Sequence, residues 1–144
     1  MKGQAKTTRW EHFEHQSDIG VRGFGDTIEQ AFEQAALALT AVVTAPDSVE
    51  PEQKIQIACD APDEEVLLVE WLNRLLYEMD TRKMLFGWFE VSIKDHRLTA
   101  AAWGQPVYVA KHHPAVEVKA ATYSSLRVRR NEDGTWVAQC IVDV

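Results

Sequence analysis

The stretch WVAQCIVDV, residues 136–144, closes the sequence and follows a turn signal at Asp133-Gly134. An Asp-Gly pair between strand-like segments is a strong sign of a β-hairpin. Because apolar side chains run from Trp136 to Val142 with one interruption, the pattern predicts a strand held inside a sheet. We therefore expect the tail to be part of the fold and not a frayed end.

Further strand patterns lie upstream of this one. Residues 10–25 predict two short strands that break at Ser17-Asp18, and residues 54–59 alternate polar and apolar side chains. After residue 85 the remaining strand patterns cover 89–93, 98–103, 107–109, 116–122 and 126–129.

Two helices are predicted between these strands. The first has Asp26 as its cap with Glu29 three residues later, and its apolar stripe ends near Pro46. The second begins around residues 60–63, where acidic side chains suit the positive end of the helix dipole, and runs to about Thr81.

The order of these elements predicts the fold class. Helices and strands come in separate runs, which is typical of an α+β protein. We expect a single domain with a mixed, mostly antiparallel β-sheet packed with two α-helices. The 144 residues are enough to bury one substantial core. Residues 1–8 are predicted to be a flexible N-terminus and residues 9–144 the domain.

The charge of the chain limits its partners. A formal net charge of -7 and a pI near 5.2 argue against extended nucleic-acid binding, which requires clustered Lys and Arg. An acidic protein that works near RNA is better suited to contact a basic protein. The short basic run Arg127, Arg129 and Arg130 is interpreted as the solvated face of a strand.

Cysteine usage and hydropathy indicate the compartment. Cys59 and Cys140 lie in apolar alternating segments and are predicted to be buried thiols without a disulfide. No apolar region follows the first residues, and no window approaches the roughly 18 apolar residues of a spanning helix. We expect a soluble, cytoplasmic protein without membrane contact, while its oligomeric state stays open.

The histidines are the first candidates for chemistry. His12 and His15 are three residues apart, so on a strand they point to opposite faces, which argues against a zinc pair. His112-His113 is predicted to lie in an exposed loop. His15 precedes Asp18 by three residues and is a candidate to orient that carboxylate or to form a plain structural hydrogen bond.

Nucleophilic catalysis has little support in the sequence. It contains no Gly-x-Ser-x-Gly elbow, no Gly-rich phosphate loop and no Cys with an evident His partner, so no catalytic residue is predicted. Lys119 lies within a strand pattern, where it either faces solvent or neutralises carboxylates.

Asp18, Asp143 and Val144 form the strongest candidate site. If folding brings the two side-chain carboxylates and the terminal carboxylate together, each close pair repels by about 4 kcal/mol at an effective dielectric of about 20. Such a cluster requires a cation, or its members must spread apart or take up a proton. All of these ligands are oxygens, which suit a hard cation such as Ca²⁺ or Mg²⁺ better than Zn²⁺. The alternative is that both aspartates are ordinary solvated side chains.

Five segments of the sequence form a recognisable set: HQSDIG at residues 15–20, and residues 25–32, 70–77, 117–123 and 142–144. Through these segments the sequence resembles the archease family of small protein cofactors of RtcB-type RNA ligases. HQSDIG is close to the family's His-Thr-Ala-Asp-Val-Gly, from which it departs at Gln16 and Ser17. The last residue is Val where the family usually has Ile, and neither departure removes a ligand side chain.

This resemblance implies an archease-like fold and a divalent-metal site at Asp18, Asp143 and Val144, usually filled by Ca²⁺, with Mg²⁺ or Mn²⁺ as alternatives. The family's lysine in the strand before Thr-Tyr falls on Lys119. It implies a non-catalytic activator that promotes guanylylation of an RtcB-type RNA ligase and its multiple turnover in tRNA splicing or RNA repair. The alternatives are a metal-dependent phosphoester hydrolase and a chaperone-like scaffolding module.

Overall fold

The computed structural model describes residues 8–144, so the predicted flexible N-terminus lies, apart from residue 8, outside the described residues. Within the described part, the strands are β1 (Arg9–His15), β2 (Asp18–Gly25), β3 (Gln53–Asp60), β4 (Met84–Lys94), β5 (Arg97–Pro106), β6 (Ala120–Ala121), β7 (Arg127–Arg130) and β8 (Trp136–Asp143). The α-helices are α1 (Ile28–Val43), α2 (Glu64–Arg82) and α3 (Val109–His112), and a 3-10 helix covers Pro46–Ser48.

The predicted α+β class is confirmed, but the strands divide between two sheets. One sheet has the order β1-β2-β8-β6, with β7 also paired to β8, and the other has the order β3-β5-β4. Every strand pair within residues 8–144 is antiparallel, so the single mixed sheet that the sequence suggested is replaced by two antiparallel sheets. Local patterns define strands but not which strands share a sheet, because pairing is non-local.

Capping interactions set where the two long helices begin. The cap of α1 is Thr27, whose hydroxyl accepts a hydrogen bond from the Gln30 N–H, while the Gln30 side chain accepts one from the Asp26 N–H. Thr27 and Gln30 thus take the places predicted for Asp26 and Glu29, one residue further along, except that the Gln30 side chain bonds to the N–H of the residue before the cap. Asp63 caps α2 through a hydrogen bond from the Val66 N–H, as its acidic start predicted.

Both long helices bury their apolar faces against the sheets. α1 packs against β2 and β8 of the five-stranded sheet and also against β4 of the other sheet. The indole N–H of the fully buried Trp71 in α2 donates to the carbonyl of Phe32 in α1 at 3.1 Å. The Trp71 ring also meets the Phe89 ring of β4 edge-on. The helices therefore join the two sheets through one core.

Three expectations for residues 107–122 are wrong. Residues 107–109 are not a strand, because the sheet pairing of β5 ends at Pro106, which has no N–H to donate, and α3 follows. Residues 116–119 run outside regular structure. Of the predicted strand 116–122, only β6 pairs with β8. His112 is 3% exposed and not part of an exposed loop.

Among residues 8–144, no helix has the length and apolar character needed to cross a membrane. Both cysteines are free thiols; Cys140 is buried and Cys59 is half-buried. Burial raises the pKa of the Cys140 thiol to about 12 and that of Cys59 to about 11, so both stay protonated at neutral pH.

Candidate functional site

The pairing of β2 with β8 brings Asp18 and Asp143 to the same end of the five-stranded sheet. Ile19 lies opposite Val142 in this ladder, so one step further along the same register Asp18 faces Asp143. Directly opposite residues in an antiparallel pair project to the same face, with Cβ atoms about 5 Å apart. Asp18 is half-buried and Asp143 is exposed. The two predicted carboxylates therefore come together although 125 positions separate them.

Apolar packing fixes the end of the sequence beside Asp143. Val142 is fully buried, and the half-buried Val144 packs against the core cluster. Side chains alternate along a strand, so these two valines face the core while Asp143 between them faces out. Val144 is thus held next to the two aspartates, and the predicted set of Asp18, Asp143 and Val144 shares one place.

Lys119 lies beside the same end of the sheet. Its backbone N–H donates to the Asp143 carbonyl at 2.7 Å, and the next residue, Ala120, pairs with Asp143. Its side chain is exposed and takes part in none of the ion pairs within residues 8–144. The prediction that Lys119 sits inside a strand is wrong, since it immediately precedes β6. The exposed side chain agrees with the alternative in which Lys119 faces solvent, and its role in neutralising the carboxylates stays a prediction.

Asn73 of α2 hydrogen-bonds to β6, the short strand that follows Lys119. Its side-chain oxygen accepts from the Ala121 N–H at 2.8 Å, and its side-chain nitrogen donates to the Ala121 carbonyl at 3.2 Å. This side chain thereby replaces the missing neighbour strand of β6. The sequence analysis did not single out Asn73, although an asparagine within the landmark segment 70–77 was an available signal.

His15 lies directly opposite Asp18 across the tight turn that joins β1 to β2. Gln16, the first residue of that turn, has a left-handed φ of 56°. The Nδ1 atom of His15 is buried and has no hydrogen-bond partner within residues 8–144, so the role of His15 in orienting Asp18 stays a prediction. His12 faces the other way, with Nε2 2.8 Å from the Ala38 carbonyl of α1, which confirms the predicted opposite orientation of the two rings.

The donor atoms at this end fit a hard divalent cation. Asp18 and Asp143 supply carboxylate oxygens and Val144 supplies main-chain oxygen, and Ca²⁺ and Mg²⁺ prefer such oxygen ligands. Residues 8–144 contain no group of three His, Cys, Asp or Glu side chains that could hold a metal. A cation here would therefore require main-chain oxygen in addition to the two aspartates.

A buried polar network anchors the segment that leads to Lys119. The Tyr108 N–H donates to His112 Nδ1 at 3.0 Å, so His112 Nε2 carries the proton and donates to Gln105 Oε1 at 2.9 Å. The Thr44 hydroxyl donates to the His112 carbonyl at 2.5 Å. Burial, together with the nearby Lys111 ammonium, lowers the pKa of His112. The ring is therefore held neutral in this network.

An open cavity of about 510 Å³ adjoins Lys119. Its walls include Leu76 and Tyr77 of α2 and Val116, and the Tyr77 side chain is 57% exposed. Asp80 and Glu117 add negative charge to the lining. This apolar surface with acidic groups lies along α2 next to Lys119.

The family follows from comparison with known proteins. The model of the Archease protein family matches residues 10–144. The chain belongs to the archease family. Protein archease of Pyrococcus furiosus is 43% identical over 140 residues, which cover 94% of this chain and 99% of that protein. Protein archease of Sulfolobus acidocaldarius is 37% identical over 139 residues, covering 95% and 99%.

Solved structures of archease relatives have the same fold. A solution structure of a Methanobacterium thermoautotrophicum protein aligns with a TM-score of 0.77 at 30% identity and covers 94% of this chain and 98% of its own. The crystal structure of a Thermotoga maritima archease, described as a "possible chaperone", aligns with a TM-score of 0.63 at 15% identity, covering 93% and 96%. The resemblance that the sequence landmarks indicated is therefore confirmed at the level of family and fold.

Proposed function

We propose that this archease-family protein is a non-catalytic activator of an RtcB-type RNA ligase. It promotes guanylylation of the ligase and its repeated turnover in tRNA splicing or RNA repair. The observation that supports this proposal best is the gathering of Asp18, Asp143, Val144 and Lys119 at one end of the sheet in a chain of this family.

In this proposal Asp18, Asp143 and Val144 hold a divalent cation, with Ca²⁺ as the leading candidate. The cation would supply positive charge that offsets the mutual repulsion of the carboxylates. β2 and β8 fix the two aspartates across one ladder, so little conformational entropy is lost when the ligands converge. The exposed Lys119 adds a mobile positive charge beside them that can reach a partner's phosphate or carboxylate groups.

The remaining surface suits a protein partner with basic character. The net charge of -7 favours association with a positively charged, phosphate-binding cleft, because long-range attraction raises the association rate. The apolar cavity beside Lys119 offers a further contact area for such a partner.

The test is a guanylylation assay with an RtcB-type ligase, GTP and Mn²⁺. The protein should speed the accumulation of guanylylated ligase, and Asp18→Ala or Asp143→Ala should lower that acceleration by at least about tenfold, as expected for lost metal ligands. A version extended by several residues beyond Val144 should fail as well, because the third carboxylate is moved away.

Asp47→Ala, which removes an exposed carboxylate from the 3-10 helix, is the matched control and should keep full activity. No acceleration by the native protein with its cognate ligase would contradict the proposal. Hydrolysis of phosphoesters by the purified protein alone, lost on chelation, would favour the hydrolase alternative. Binding to several unrelated unfolded proteins, indifferent to Asp143, would favour a chaperone-like module.

A further inference from the structure

The outer face of the five-stranded sheet carries an unexpected set of side chains. α1 covers the inner face, where Gly23 approaches the backbone of Ala31 and Ala35 so closely that an added Cβ would lie 2.3 Å from atoms of both. On the opposite face, Arg22 of β2 lies over the Phe13 ring of β1 at 4.2 Å, and Arg9 lies over the Phe24 ring at 4.0 Å. This face thus presents flat guanidinium groups stacked on aromatic rings.

The strand register adds two more arginines to the same face. Arg22 lies opposite Gln139, which in turn lies opposite Arg127 of β7. One step along the strands, Phe24 lies opposite Val137, which in turn lies opposite Arg129. Residues in register project to the same side of an antiparallel sheet. We call Arg9, Arg22, Arg127 and Arg129 the arginine face.

The carboxylates on this side of the sheet are Glu11, within the arginine face, and Asp18 and Asp143, about 13 Å along the strands from Arg22. Glu11 is the acidic partner within it and pairs with Arg22 at 2.5 Å and with Arg9 at 2.9 Å. Within residues 8–144, the side chains of Arg127 and Arg129 are exposed and take part in no ion pair. Positive charge is thus concentrated on one surface of a chain whose net charge is -7.

We propose that the arginine face binds single-stranded nucleic acid. Arg127 and Arg129 are free to pair with phosphate oxygens, for which the guanidinium fork is well shaped. The stacked Arg22–Phe13 and Arg9–Phe24 pairs supply flat surfaces on which unpaired bases stack. This binding requires neither a ligase nor a metal, so it goes beyond the proposed function.

The strand of nucleic acid would end near the carboxylates. Asp18 and Arg22 lie on the same face of β2, four residues apart, which corresponds to about 13 Å along a strand. A nucleotide chain held by the arginine face would therefore have one end close to Asp18 and Asp143. Bases of a nucleic acid can stack on the arginine–phenylalanine pairs, whereas the carboxylates of an acidic protein cannot. The stacked pairs therefore favour nucleic acid over an acidic protein as the ligand of this surface.

Fluorescence anisotropy with a labelled 12-nucleotide oligouridylate tests the proposal directly. The native protein should bind it in low salt, and the double variant Arg127→Gln, Arg129→Gln should bind at least about tenfold more weakly. The salt dependence of binding should also decrease by about 1.4 in log–log slope, because each phosphate contact to a single strand contributes about 0.7. A deoxyribonucleotide of equal length that binds similarly would support the same phosphate-based recognition.

The matched control is Lys94→Gln, Arg97→Gln, which removes the same charge from an exposed register pair of the three-stranded sheet. It should change binding by less than about twofold. The proposal is overturned if the native protein does not bind at low salt, or if both double variants lose affinity equally. It is also overturned if a labelled 12-residue oligoglutamate binds as tightly as the oligouridylate, because the face would then be a site for acidic protein.

Discussion

Asp143 combines a structural backbone with a side chain left free for binding. Its carbonyl accepts the Lys119 N–H and its backbone pairs with Ala120, while the side chain projects to the outer face opposite Asp18. Because the ladder is held by main-chain hydrogen bonds and buried valines, the carboxylate can be changed without removing those contacts. This separation makes it possible to test ligand binding apart from folding.

The first prediction at this scale concerns metal affinity. Asp143→Asn should lower the affinity for Ca²⁺ by at least about tenfold, since the amide keeps the shape of the side chain but loses its charge. Isothermal titration calorimetry of the protein alone measures this, and Asp47→Asn serves as the control with the same chemical change. Equal Ca²⁺ affinity in the native protein and Asp143→Asn would contradict the assignment of this residue as a ligand.

The second prediction concerns the buried His112. Its lowered pKa means that the folded state holds the proton more weakly than the unfolded chain, whose imidazole has the usual value of 6.5. Above about pH 6.5 the ring is neutral in both states, so His112 does not change the free energy of unfolding. That free energy decreases as the pH falls through 6.5 toward the lowered pKa, because the unfolded chain takes up the proton first. The charged residues around this ring and its Gln105 partner are Lys111, Glu50 and Glu52. Each of them hydrogen-bonds to Gln105, and Lys111 also pairs with Glu50.

His112→Gln should flatten this dependence. The amide can accept from the Tyr108 N–H or donate to Gln105 but has no charge to gain, so the variant should be less stable at neutral pH and less sensitive to acid. Urea unfolding at several values between about pH 5 and pH 7 gives the slope of the unfolding free energy, which one proton limits to about 1.36 kcal/mol per pH unit. Parallel slopes in the two proteins would show that other groups cause the acid sensitivity.

The sequence predicted the position of the tail better than the structure around His112. A continuous apolar strand pattern led to the expectation that the tail is held in the sheet beside Asp18, and the burial of Val142 and the pairing of β2 with β8 agree with it. That Asp18, Asp143 and Val144 bind a cation stays a prediction. The burial of His112 was not predicted, because a His-His-Pro run is typical of a loop. Its hydrogen-bond partners Gln105 and Thr44 are connected to it by no local sequence pattern.

At the scale of elements, the contact between α1 and β2 requires a residue without a side chain. The helix backbone at Ala31 and Ala35 lies directly over Gly23, and the small alanines on the helix allow that approach. A glycine within a strand often marks close backbone approach, and Gly23 is such a case. The helix start was predicted within one residue because capping patterns are local.

Gly23→Ala should therefore destabilise the fold. An added methyl group would lie 2.3 Å from both the Ala31 carbonyl oxygen and the Ala35 nitrogen, so α1 must shift away from the sheet. Overpacking of this kind costs about 1–3 kcal/mol, and backbone atoms yield less readily than a side chain. Guanidinium unfolding measures the loss, with Ser92→Ala on an exposed position of β4 as the control. An unchanged unfolding midpoint would show that the helix moves without cost.

The charge of the whole molecule is distributed unevenly over its surface, which composition does not show. A net charge of -7 led to the expectation of no extended nucleic-acid contact, and the run Arg127, Arg129, Arg130 was interpreted as a solvated strand. The register separates that run, placing Arg127 and Arg129 beside Arg22 while Arg130 pairs with Trp136 on the alternate side. Charge that is averaged over a sequence cannot reveal this, because strands distant in the chain supply one surface.

β8 also determines how incomplete copies of this protein would behave. It pairs with β2, β6 and β7, and its partner β2 lies more than 100 positions earlier in the sequence. A chain interrupted before Trp136 would leave the edges of those strands unpaired and would remove part of the surface against which α1 packs, which favours aggregation. Premature termination is accordingly expected to yield aggregation-prone chains and not a shortened, folded protein.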